Sequence, residues 1–228
     1  MMKTAWIFPG QASQKVGMGK DLFENTKIGS EYFDLANEIL NFDIKNIIFN
    51  GPDEELKKTQ FTQPAIYIVS VIIGEILLEK GLVPHAVAGH SLGEYSALTI
   101  AKSLNFNTGL ELVKARSQSM ANAGKKGDGS MAAIVGLEDK IIFKICNDFE
   151  GYKKVVPANY NSPGQVVISG HNEAVEWAMD IAKKKGARIC VKLNVSGAFH
   201  SPLMQPARKK LSEVINTSSI SDAIYPVY

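Results

Sequence analysis

The sequence predicts an α/β protein: a large subdomain into which a smaller βαββαβ unit is inserted. Three observations predict this. Gly89-His90-Ser91-Leu92-Gly93 lies between a short apolar run, Ala86-Val87-Ala88, and a small-residue helical run, Tyr95 to Ala101. A glycine-rich break, Gly124 to Gly129, is followed by short strands and helices in regular alternation. After that alternation, Ser201-Pro202 reads as a helix start, with an N-cap followed by proline at the first helical position. The boundaries read from these signals are 1–129 with 196–228 for the large subdomain and 130–195 for the small one.

The elements follow in chain order. Thr4 to Phe8 reads as a first strand, stopped by Pro9-Gly10. The polar loop Gly10 to Gln14 then falls at the carboxyl edge of the sheet, where α/β sheets keep their sites. Asp21 to Leu40 has helical spacing in pieces, and Phe42 to Leu56 is mixed, broken by Gly51-Pro52. Thr62 is expected to cap a helix with Pro64 in its first turn and Gly81 as its stop. That helix is apolar nearly all round, which points to the core. Thr108-x-x-Glu111 matches a capping box opening a helix to about Ala123. Leu112, Arg116 and Met120 share one face of it at i, i+4, i+8 spacing.

Beyond the break, strands are expected at 131–137, 154–159, 165–169 and 188–195, with helices at 139–148 and 172–185. That order is the ferredoxin-like, split βαβ pattern. A helix from Ala207 to Ile215 and the start of a strand at 223–228 end the chain.

Composition excludes several classes. At 228 residues, 45% hydrophobic and 21% charged, the chain is an ordinary globular protein. A net charge of +2 gives no case for nucleic acid. Lys125-Lys126 and Lys183 to Lys185 are small basic patches, read as solvated faces. Two cysteines, Cys146 and Cys190, make no disulfide framework and no metal motif, and read as buried reduced thiols. The early apolar run, Ala5 to Phe8, is too short for a signal peptide. The longest apolar run, Ala65 to Leu78, falls short of a bilayer span. A cytoplasmic, non-membrane protein is expected.

The chemistry centres on Ser91. A serine on a sharp strand-to-helix turn is pushed out at the sheet edge, beside N–H groups that stabilise an oxyanion. It needs a base. His85 precedes the strand, at the wrong end of the sheet. His171 sits at a strand-to-helix turn, and His90 is swung aside by the turn itself. His200, in a small-residue loop fixed by Ser201-Pro202, is the remaining candidate. Arg116 amid Leu112 and Met120 either snorkels to water or faces a cavity that supplies an anion.

Phe8-Pro-Gly-Gln-Ala-Ser-Gln14, Gly89 to Ala97, Ala115-Arg116, Asn159 to Gln165 and Ala198-Phe-His-Ser-Pro202 together resemble the malonyl-CoA:acyl-carrier-protein transacylases of fatty acid synthesis. The resemblance spans the whole chain in family order. It implies an α/β-hydrolase-like large subdomain with an inserted ferredoxin-like one. It implies that Ser91 attacks the malonyl thioester, with His200 as general base and the N–H groups of Gln11 and Leu92 as oxyanion hole. Arg116 would pair with the malonyl carboxylate, and His90, Phe199, Met120, Asn159 and Asn161 would line or brace the pocket. Malonyl-CoA and the phosphopantetheine thiol of acyl carrier protein are the implied substrates, with no bound cofactor or metal and a monomeric protein. Family members continue past Tyr228 through a segment that completes the large sheet. The group orienting His200 is therefore unassigned, with a backbone carbonyl or amide the family precedent.

Two other readings share parts of the pattern. A serine hydrolase or thioesterase would use G-x-S-x-G but has little use for Arg116. A truncated, non-catalytic module could still dock acyl carrier protein.

Overall fold

The computed structural model describes residues 3–124 and 127–228; the Lys125-Lys126 patch lies outside them. The chain divides into two compact units, 1–118 with 211–228, and 119–210.

In the first unit, strand β1 (Ala5–Phe8) leads into helices α1 (Lys20–Asn25), α2 (Lys27–Leu40), α3 (Ile44–Asn50) and α4 (Asp53–Leu56). Helix α5 (Thr59–Glu79), strand β2 (Ala86–Gly89), α6 (Gly93–Ile100) and α7 (Phe106–Gly124) follow. β1 and β2 pair in parallel, Ala5 with Ala86 through Phe8 with Gly89. The C-terminal residues add a parallel bridge, Val227 to Val87, on the other edge of β2. Both strands thus end at the same edge, and the loops after Phe8 and after Gly89 emerge side by side.

The core lies on α5. Tyr67, Ile68, Val71 and Ile72 are fully buried against Phe33, Ile44, Val87, Ile100 and Leu110. At 21 residues and mean hydropathy 1.7, α5 is long and apolar enough to cross a membrane, longer than the run read from the sequence. Its burial is that of a core helix. Its start also differs from expectation. The Thr62 hydroxyl donates to the Leu56 carbonyl at 2.5 Å rather than capping, so the helix begins at Thr59 and Pro64 lies inside it. Likewise Asn105, not Thr108, caps α7: its Oδ1 accepts the Thr108 N–H at 2.8 Å.

Tyr67 shows what holds this core in register. Its hydroxyl is 2.9 Å from Thr99 Oγ1 and donates to the Phe106 carbonyl at 3.1 Å, tying α5 to α6 and to the start of α7. Burial pushes its phenol far above the ordinary value, so it stays protonated and remains a donor. Tyr67→Phe leaves buried partners unsatisfied and should lower unfolding free energy by about 1–3 kcal/mol. Urea denaturation checks this, through a lower midpoint at unchanged slope.

The second unit is a four-stranded antiparallel sheet, β3 (Gly129–Val135), β4 (Val155–Ser162), β5 (Gln165–His171) and β6 (Ile189–Lys192), in the order β4-β5-β3-β6. Helices α8 (Asp139–Asn147) and α9 (Asn172–Lys184) cover one face through Ile142, Ile145, Val175 and Ala178. This is the ferredoxin-like order that the βαββαβ pattern predicts. The other face is covered by Met120, Phe199, Met204 and Ala207 over Met131 and Val167. Those covering residues come from the end of α7, from the return loop and from helix α10 (Gln205–Thr217). The unit therefore takes in segments on both sides of the 130–195 read from the sequence.

Both cysteines are free. Cys146 is buried, and burial pushes its thiol up to about 12. Cys190 is only partly buried, because β6 is an edge strand, a departure from the expected fully buried thiol.

Candidate active site

The turn after β2 is built by close approach. The His90 N–H donates to the Phe8 carbonyl at 3.0 Å, and the Gly93 N–H donates to the His90 carbonyl at 3.0 Å. A Cβ on Gly93 would stand 2.2 Å from the Phe8 carbonyl oxygen, and one on Gly89 would stand 2.1 Å from the Glu94 nitrogen. Neither position accepts a side chain, which is why both ends of the pentapeptide are glycine. Between them Ser91 holds φ at 55°, in the left-handed region that a non-glycine residue enters at a cost. This is the strained elbow that the pattern predicts, with helix α6 opening two residues later.

Arg116 meets that serine. Its Nη2 donates to Ser91 Oγ at 2.8 Å and its Nη1 to Gln63 Oε1 at 2.6 Å. Arg116 is 8% exposed, so it does not snorkel to water. Among the described residues no ion pair involves it. Burial lowers its affinity for its proton, opposed by Tyr95 and Glu94, yet a guanidinium remains cationic in any protein. The Tyr95 ring lies 5.8 Å from the guanidinium carbon, and burial raises that phenol. A buried cation whose hydrogen bonds among the described residues go to neutral acceptors is suited to receive an anion. Leu112 and Met120, its predicted face-mates on α7, are buried as well.

The two oxyanion candidates stand at the ends of the paired strands. Leu92 is 1% exposed and directly precedes the first turn of α6, where N–H groups lack intrahelical acceptors. Gln11 lies in the turn after β1, its side chain donating to Thr59 Oγ1 at 3.3 Å. The neighbouring Gly10 abuts His90: a Cβ there would fall 2.6 Å from His90 Nδ1. His90 is exposed. His85 accepts the Thr4 N–H through Nδ1, at the opposite end of the strands from Ser91.

His200, Phe199, Met120, Asn159 and Asn161 belong to the second unit. His200 is exposed and holds φ at 57°, a second non-glycine residue in the left-handed region. Its loop is fixed from behind. The Ser201 hydroxyl donates to the Ala198 carbonyl at 2.7 Å and accepts the Leu203 N–H at 3.2 Å, the N-cap expected from Ser201-Pro202. Phe199 and Met120 share one apolar cluster. Asn159 is partly buried on β4 and Asn161 is exposed on the same strand. His171 accepts the Lys154 N–H at 2.9 Å, a structural role.

Sequence reading missed Gln63. A glutamine in a helix that is apolar nearly all round is itself the signal, because a buried amide needs partners. A separate apolar groove of about 470 Å³ runs beside β1 and α5, lined by Trp6, Phe8, Val69, Ile73 and Leu77 among others. No charged side chain lines it, so it is not built for an anion.

The parallel strands, the strained serine and the buried arginine define the class. The chain matches the acyl transferase domain family over residues 5–223. It is 43% identical to the malonyl CoA-acyl carrier protein transacylase of Bacillus subtilis, across all of this chain and 72% of that protein. A Coxiella burnetii malonyl CoA-acyl carrier protein transacylase superposes with a TM-score of 0.95 at 42% identity, over 99% of this chain and 72% of that one. A malonyl-transacylase solved in complex with a type II PKS acyl-carrier protein superposes at 0.94, with 41% identity, over 99% of this chain and 74% of that one. The chain belongs to the malonyl CoA-acyl carrier protein transacylase family, and its α/β architecture is that of the family.

Proposed function

We propose that this protein transfers malonyl from malonyl-CoA to the phosphopantetheine thiol of acyl carrier protein, through a malonyl ester on Ser91. The observation that carries the reading is the Arg116–Ser91 contact: a buried guanidinium 2.8 Å from the candidate nucleophile. A neutral acyl group gives that cation nothing to pair with, whereas malonyl ends in a carboxylate that matches the guanidinium fork.

In this reading His200 takes the proton of the Ser91 hydroxyl as Oγ attacks the thioester carbon. The N–H groups of Gln11 and Leu92 hold the oxyanion of the tetrahedral intermediate. Collapse breaks the C–S bond, and the coenzyme A thiolate leaves with the proton from His200. The carrier thiol then gives its proton to His200 and attacks the Ser91 ester. Ser91 leaves as an alkoxide and regains the proton from His200, so the enzyme ends unchanged. Phe199, Met120, His90, Asn159 and Asn161 shape the pocket. The lysines at 183–185, at the end of α9, are candidates for meeting the carrier protein. Two free cysteines fit a reducing, cytoplasmic setting.

Steady-state kinetics with malonyl-CoA and holo acyl carrier protein test the reading. Parallel double-reciprocal lines, the sign of a covalent intermediate, are expected; intersecting lines would contradict it.

A further inference from the structure

Arg116 is held at two points by groups of the same kind. Nη1 rests on an amide oxygen and Nη2 on a hydroxyl oxygen, and both acceptors are uncharged. Gln63, 1% exposed, is fixed in α5 just ahead of Pro64. Because every Arg116 nitrogen is a donor, Gln63 must present its carbonyl oxygen to the guanidinium. Its orientation is thus dictated by the arginine, and the arginine's by it.

We propose that Gln63 is a positioning residue that makes Arg116 a substrate-gated clamp. Its neutral oxygen anchors Nη1 without cancelling the charge, so that Nη2 exchanges between Ser91 Oγ and the substrate carboxylate. Nη2, 2.8 Å from Ser91 Oγ, occupies a lone pair of that oxygen and draws electron density from the nucleophile. An arriving carboxylate is the stronger acceptor and takes Nη2, which returns that lone pair for attack. An acetyl group offers no such acceptor and leaves Ser91 engaged. Discrimination then has two parts, attraction of the carboxylate and release of the serine.

A glutamate at 63 would keep the shape and reverse the logic. It would pair with the guanidinium bidentately and place a second carboxylate where the substrate's must bind, and like charges at one site oppose each other. The inference rests on the malonyl-transfer reading, and the experiment separates the two. Rates and KM for acylation of Ser91 are measured by rapid quench and mass spectrometry, with malonyl-CoA and with acetyl-CoA, for wild type, Gln63→Glu and the isosteric neutral Gln63→Met. Circular dichroism melts run alongside.

For Gln63→Glu, KM for malonyl-CoA should rise on the order of 10–100-fold, and the malonyl-to-acetyl preference should fall at least about tenfold. Gln63→Met should shift the preference the same way by a smaller factor, since it removes the anchor without adding charge. Should Gln63→Glu not fold, the Gln63→Met result decides. A wild-type preference in the folded variants, or equal losses with both thioesters, would overturn the inference. A wild type that leaves no malonyl on Ser91 would overturn the transfer reading as well, which tells the two failures apart.

Discussion

Replacing Arg116 with alanine should lower kcat/KM for malonyl transfer by about 10²–10⁴-fold while acetyl transfer changes far less. The magnitude follows from two charge-assisted hydrogen bonds, each worth roughly 1.5–3 kcal/mol, at 1.4 kcal/mol per tenfold. The direction follows from burial. Arg116 is 8% exposed and its guanidinium contacts Ser91 Oγ at 2.8 Å, so the carboxylate it is expected to receive would sit beside the nucleophile and away from bulk water. Arg116→Lys should not restore the preference, because a single ammonium cannot reproduce the fork that spans Gln63 and Ser91. Parallel measurement of malonyl-CoA and acetyl-CoA kinetics checks this. An unchanged ratio in Arg116→Ala would mean that the guanidinium serves packing alone.

Replacing Ser91 with alanine should abolish transfer while leaving binding nearly intact. The strained turn is imposed by Gly89, Gly93 and the hydrogen bonds to Phe8 and His90, none of which involves the Ser91 side chain. Arg116 keeps its anchor on Gln63 and loses only the hydroxyl acceptor. Malonyl-CoA affinity by calorimetry should therefore stay within about threefold or tighten, since Nη2 no longer has a competing partner. Transfer should fall by at least about 10³-fold, as expected when a covalent route is removed and only positioning and oxyanion stabilisation remain.

Much of this was legible in the residues. The elbow at Ser91 could be read because its constraint is local: a strand, a helix and two glycines that no other residue replaces. The ferredoxin-like unit could be read because each of its elements is short and bounded by glycine, proline or asparagine. Arg116 stood out as a charge on an apolar helix face, although spacing alone left open whether it reached water or a cavity. Its burial decides that question. What escaped was set by individual side-chain contacts that spacing and composition do not show. The Thr62 hydroxyl turns to Leu56 rather than capping, so α5 starts earlier than its signals indicate. Asn105 takes the N-cap of α7 in place of Thr108, because its Oδ1 accepts the Thr108 N–H and the helix begins at Phe106. The limits of the small unit were missed because its sheet has a second apolar face, covered by Met120, Phe199, Met204 and Ala207 from outside the repeating pattern. Gln63 was passed over because its partner lies 53 residues away on another helix.

The central claim is that Ser91, beside a buried guanidinium hydrogen-bonded to neutral acceptors, becomes malonylated. Its most direct test is to mix the protein with malonyl-CoA, quench in acid, digest with a protease and weigh the peptide that carries Ser91. The account predicts one malonyl group on that peptide in wild type, none in Ser91→Ala, and removal of the group when holo acyl carrier protein is added before the quench. A malonyl group that persists in Ser91→Ala, or that maps to another peptide, would contradict it.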